Sequence, residues 1–155
     1  MRRLFVLSLL LLPAWTAGLP ASSFQQDSPA TSACHAFIDY QFIWTLEVIQ
    51  EPGQSSPVPI LNIITLVEGQ WDLRPSNIHL TGSSGREAEI DRFAIDTGVP
   101  GEPYNLHYLK VLGSSFIGMD LIGDFQGFAE LQKVTIDLGE SRFVLEPIDC
   151  LDFET

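Results

Sequence analysis

A small, mostly-β domain, a closed barrel or sandwich with one or two short helices, is predicted by three observations. Apolar and polar residues alternate with period two over several runs, beginning with Tyr40, Phe42, Trp44, Leu46 and Val48. Gly-, Pro- and Ser-rich clusters punctuate those runs at short intervals. Only one long segment, Met119 to Glu130, carries a helical apolar face.

The elements follow in order. Phe37 to Gln50 reads as a strand, and Glu51-Pro52-Gly53-Gln54-Ser55-Ser56-Pro57 as a loop. Val58 to Val67 is apolar on both faces, which suits a buried strand. Trp71 to Leu80 is extended but interrupted by Pro75, as at an edge or a bulge. Thr81 to Gly85 reads as a flexible hairpin tip. Glu87 to Ile95 is a strand whose alternation shifts phase near Asp91-Arg92. Val99 to Pro103 is a loop. Tyr104 to Leu112 fits helical and strand spacing equally, and Ser115 to Ile117 is a short strand. In Met119 to Glu130, Leu121, Ile122, Phe125, Phe128 and Ala129 share one helical face. Lys133 to Leu138 and Arg142 to Glu146 form a hairpin around Gly139-Glu140-Ser141. About six to eight strands in all point to a barrel or sandwich.

The 155 residues suit one domain preceded by two segments that lie outside it. Residues 1–18 have the layout of a signal peptide: basic Arg2-Arg3, an apolar run from Leu4 to Leu12, Pro13, then small Thr16, Ala17 and Gly18. The apolar run is too short for a membrane-spanning helix, so no stable membrane insertion is expected. Residues 19–33, rich in Ser, Ala, Gln and Pro, read as a flexible segment, and residues 34–155 as a single β-rich domain. The chain is expected to be secreted or periplasmic.

The formal charge is −12; loss of Arg2 and Arg3 leaves six basic and twenty acidic residues, near −14. Such a surface repels phosphate backbones, which excludes nucleic acid as a partner. Cys34 and Cys150 stand at opposite ends of the domain, and an oxidising compartment favours a disulfide between them. No cofactor is implied. His35, His79 and His107 are scattered singly, and no pair has metal-ligand spacing. Glu87, Glu89 and Asp91 alternate along one strand; a solvated face is favoured over a Ca²⁺ site because no carbonyl-bearing loop of known spacing accompanies them. Trp44, Trp71, Phe93 and Tyr104 read as core, with a ligand cleft as the alternative.

Asp96-Thr97-Gly98, at the end of Arg92-Phe93-Ala94-Ile95, carries the most pointed chemistry. Further on come Phe116-Ile117-Gly118-Met119-Asp120-Leu121-Ile122, Val134-Thr135-Ile136-Asp137 and Phe143-Val144-Leu145-Glu146-Pro147. In this order the segments resemble the retropepsin-like aspartic proteases, over about residues 92–147. The resemblance implies that Asp96 is the catalytic carboxylate, that Gly98 lets its loop turn tightly, and that Thr97 braces one loop against its mate. Two carboxylates must share one proton in that chemistry. Only one Asp-Thr-Gly is present, so activity implies a homodimer acting on a polypeptide substrate. Two readings stay open. One is a secreted, homodimeric aspartic endopeptidase working through Asp96. The other is a non-catalytic secreted β-domain, a binding or structural module, with Asp96 in an ordinary strand-ending turn.

Overall fold

The computed structural model describes residues 31–95, 104–128 and 130–150. Asp96, Thr97 and Gly98 lie outside the described residues, as do residues 1–30. The described chain forms eleven strands: β1 (Thr31–Ile38), β2 (Phe42–Gln50), β3 (Val58–Thr65), β4 (Gln70–Leu73), β5 (Ile78–Gly82), β6 (Glu89–Ile95), β7 (Tyr104–Leu106), β8 (Leu109–Leu112), β9 (Phe116–Asp124), β10 (Leu131–Leu138) and β11 (Ser141–Ile148). Nine of them make one antiparallel sheet in the order β5-β10-β11-β1-β2-β3-β9-β6-β7, and β4 pairs with β8 separately.

The expected mostly-β class holds, but its helices do not. The helical element whose full span is described is a three-residue 3-10 turn, Pro75–Asn77, between β4 and β5. The segment read as a helix from Met119 is strand β9 as far as Asp124. Its glycines explain the choice. Gly123 sits where β6 is bulged between Ile90 and Arg92, and a Cβ there would lie 2.1 Å from the Glu89 carbonyl oxygen. Only bare backbone fits that approach. Met119 and Leu121 point inward with strand periodicity, and the chain turns only afterwards, burying Phe125 and Phe128.

Two further boundaries move. The run Phe37 to Gln50 is not one strand. It reverses at Asp39-Tyr40-Gln41, so that Ile38 pairs with Ile43. The Asp39 carboxylate accepts the N–H groups of both Gln41 and Phe42 at 2.7 Å, a side-chain turn that needs no glycine. Strand β1 also begins at Thr31, inside the segment expected to be flexible, and Ala33 pairs with Val48.

The sheet curls around one core. Phe42, Trp44, Leu46 and Val48 of β2, Leu61 and Ile63 of β3, Phe93 of β6, Leu121 of β9, Val134 and Ile136 of β10 and Leu145 of β11 are all buried in a single cluster. Each large apolar side chain so placed contributes roughly 1.5–3 kcal/mol. The β4–β8 pair adds Leu73 and Val111 and brings Trp71 edge-on to Phe42, with centroids 4.8 Å apart. The expected closed barrel is not reached. Thr81 of β5 bridges to Glu87, just ahead of β6, but no ladder follows. Strand β6 instead pairs with β9 from Glu89 to Ala94 and with β7 from Phe93 to Ile95.

The two cysteines form the expected disulfide, Cys34–Cys150, with Cα atoms 5.2 Å apart. No helix among the described residues is long and apolar enough to cross a membrane.

Candidate functional site

The three residues of the candidate catalytic loop are not described, but both of their flanks are. Strand β6 ends at Ile95, which pairs with Tyr104, the first residue of β7. Residues 96–103 therefore join two paired strands at one end of the sheet. Beside them, Arg92 Nε donates to Asn105 Oδ1 at 3.0 Å.

The other segments of the resemblance are spread through the sheet. Phe116 to Ile122 lies in β9, Val134 to Asp137 in β10 and Phe143 to Pro147 in β11. The strand–helix–strand order implied for them becomes strand–turn–strand. Asp120 faces outward, between Ile60 of β3 and Ala94 of β6. Of the aromatic residues weighed as cleft lining, Trp44 and Phe93 are core, Trp71 packs against it, and Tyr104 is exposed. Asp91 falls at the β6 bulge, which breaks its alternation with Glu89. No cluster of three or more metal-ligating side chains occurs among the described residues.

Register assembles a feature that no local motif announces. Side chains of paired residues share a face, so the outer face of β1–β2–β3–β9 can be read row by row. One row is Ile38, Ile43, Ile64 and Phe116. It is wholly apolar, and its end members are 69% and 67% exposed. The next row is Ala36, Thr45, Asn62 and Gly118. Neither row carries a charge. Between them lies a depression of about 210 Å³ lined by Ile43, Thr45, Asn62, Ile64 and Phe116. Asn62 Nδ2 donates to Thr45 Oγ1 at 3.3 Å across its floor. A Cβ at position 118 would come within 2.9 Å of Asn62 Oδ1, so glycine there leaves the amide its space.

Charge returns at the rim. Glu146 stands opposite Ala36, and Glu47, Ile60 and Asp120 form the following row. The site is thus an apolar hollow with neutral hydrogen-bonding groups at its base and carboxylates around it. An apolar cavity of about 150 Å³ accommodates benzene, so this hollow is large enough for one aromatic side chain. No family model, curated protein or solved structure matches the chain.

Proposed function

We propose that this chain is an exported, non-catalytic β-domain that binds a polypeptide partner through the outer face of β1–β2–β3–β9. The observation that carries the reading is the charge-free double row from Ile38 and Ala36 to Phe116 and Gly118, on a chain with twenty acidic residues. Contiguous exposed apolar surface rimmed by polar groups marks interaction sites, and interface centres are depleted in charge and enriched in aromatic residues. The rim carboxylates Glu47, Asp120 and Glu146 select a partner with basic residues beside an aromatic one. A second copy brings the same rim and the same net charge, and so is disfavoured. Export is supported by the disulfide, which persists in oxidising compartments, and by the signal-like layout of residues 1–18.

A synthetic peptide with one Trp between lysines tests the proposal. It is expected to bind the mature protein measurably by fluorescence anisotropy, and the same peptide with Ala for Trp is not. Phe116→Ser with Ile43→Ser is expected to weaken binding about tenfold or more, the size of a lost hot-spot contact. Equal binding by the double variant and the unaltered protein sinks the assignment. A dimer seen by sedimentation and broken by the same substitutions reassigns the face to self-association.

The endopeptidase reading rests on Asp96-Thr97-Gly98 and has its own test. With a binding role, neither the mature protein nor Asp96→Asn cleaves a peptide library at acid or neutral pH. Cleavage by the first and not by the second makes the chain an aspartic protease.

A further inference from the structure

The outer face of β5–β10–β11 carries a different kind of surface. A cleft of about 250 Å³ is lined by His79, Thr81, Glu87, Lys133, Thr135 and Arg142. Register brings these side chains together. His79 pairs with Thr135, Thr81 pairs with Lys133, and Glu87 bridges to Thr81 from the other side. Glu87 and Lys133 thus flank one threonine on a single row. Among the described residues no salt bridge joins them, either to each other or to a third group.

One end of the cleft is already neutralised. Asp137 accepts Arg142 Nε at Oδ1, 2.6 Å, and Nη2 at Oδ2, 2.9 Å, and His79 Nε2 lies 3.3 Å from the same Oδ2. The Arg142 hydrogen bonds hold the Asp137 carboxyl below its usual range. Arg142 and Asp137 balance each other's charge here, with the Nη1 amino group of Arg142 outside the pair. The floor is different. Thr135 is only 8% exposed, lines the cleft, and its hydroxyl has no hydrogen-bond partner among the described residues. That hydroxyl is on the cleft floor and is left for whatever occupies the cleft.

The charge pattern decides the class of occupant. A simple anion satisfies Lys133 and Thr135 but meets Glu87 and the field of a strongly acidic molecule. A simple cation satisfies Glu87 but meets Lys133. A molecule bearing both charges satisfies both ends and feels no net field. We propose that this cleft binds a small zwitterion of the α-amino acid type, its carboxylate held by Lys133 and the Thr135 hydroxyl and its ammonium by Glu87. The proposal is independent of the apolar face on the other wall.

Calorimetric titration of the whole mature protein with L-alanine tests this, with acetate and ethylammonium as the two half-ligands. L-Alanine is expected to bind saturably, and each half-ligand at least about tenfold more weakly. Thr135→Val keeps the β-branched shape and removes only the hydroxyl. Glu87→Gln lies on an exposed segment and leaves the fold alone. Each is expected to weaken L-alanine about tenfold or more, the effect of losing a hydrogen bond to a charged group. Absence of saturable L-alanine binding at tens of millimolar overturns the proposal. So does unaltered affinity in Glu87→Gln, or acetate binding as tightly as L-alanine.

Discussion

Replacing Cys34 and Cys150 together by alanine is expected to lower the stability of the domain by up to about 4–5 kcal/mol. The two residues are 116 positions apart, and the chain-entropy model assigns a loop of that length a stabilisation of this order. A domain of this size is stable by roughly 5–15 kcal/mol in total, so the loss is a large share. Position in the sheet adds to the argument. The β1–β11 seam divides the large sheet into β5-β10-β11 on one side and the remaining six strands on the other. Among the described residues only three pairs span it: Cys34 with Ile148, His35 with Pro147 and Ala36 with Glu146. Pro147 has no N–H to donate, which thins the ladder further. The covalent bond therefore crosses the weakest internal junction, next to its hydrogen bonds. Urea unfolding of the double variant measures the loss. Amide exchange locates it, with β5, β10 and β11 expected to lose protection ahead of β2 and β3. A loss below about 1 kcal/mol means that the core alone holds the seam.

The parts of this fold that were legible in the sequence are those encoded locally. The β10–β11 hairpin announces itself through alternation on both sides of Gly139-Glu140, and Gly139 adopts φ of 65° as such a turn requires. The phase shift near Asp91-Arg92 marks the β6 bulge, whereas Pro75, expected at an edge or a bulge, starts a 3-10 turn that separates β4 from β5. The β1–β2 reversal was hidden because its turn is made by an aspartate side chain inside an unbroken apolar alternation. Strand β9 was misread because Leu121, Ile122, Phe125 and Phe128 satisfy helical spacing by straddling a strand and the turn after it. Gly118 and Gly123 were the contrary signal, and their meaning depends on Asn62 and Glu89, far away in sequence. Both surface sites have the same character. Ile38, Ile43, Ile64 and Phe116 become neighbours only through the registers of three strand pairs, as Glu87, Thr81 and Lys133 do through β5 and β10. Asp96-Thr97-Gly98, the one motif readable from three adjacent residues, is the one whose geometry lies outside the described residues.

His35 is expected to make the domain acid-sensitive in a range where its carboxylates do not. It lies on β1 opposite Leu46 of β2 and Pro147 of β11, faces the core and is only 1% exposed. Among the described residues neither ring nitrogen has a hydrogen-bond partner, and the same holds for Nε1 of Trp44, one position along the neighbouring strand's inward face. Burial pushes the imidazole below its ordinary value of 6.5, and Glu146, the charged group that acts on it, opposes this only in part. The folded chain therefore takes up its proton at lower pH than the unfolded chain. Between the two values the unfolded state holds more protons, so stability rises with pH. The full stability is present above pH 6.5 and is lost as pH falls through the lower folded value. Asp124 is also depressed from 3.8, by the Gln126 N–H and then Arg86, and Asp137 by its hydrogen bonds from Arg142. Their contributions are present above 3.8 and disappear only below it, which separates the two windows. His35→Leu keeps an apolar surface against Leu46 and removes two unpaired polar atoms whose burial is unfavourable by about 1–3 kcal/mol. The variant is expected to match or exceed the parent at pH 7.5 and to exceed it by a wider margin at pH 5, as read from urea midpoints. An unchanged difference between the two pH values places the acid sensitivity elsewhere; a variant weaker than the parent at both means that the imidazole has a partner, since a neutral ring without one contributes nothing that leucine cannot.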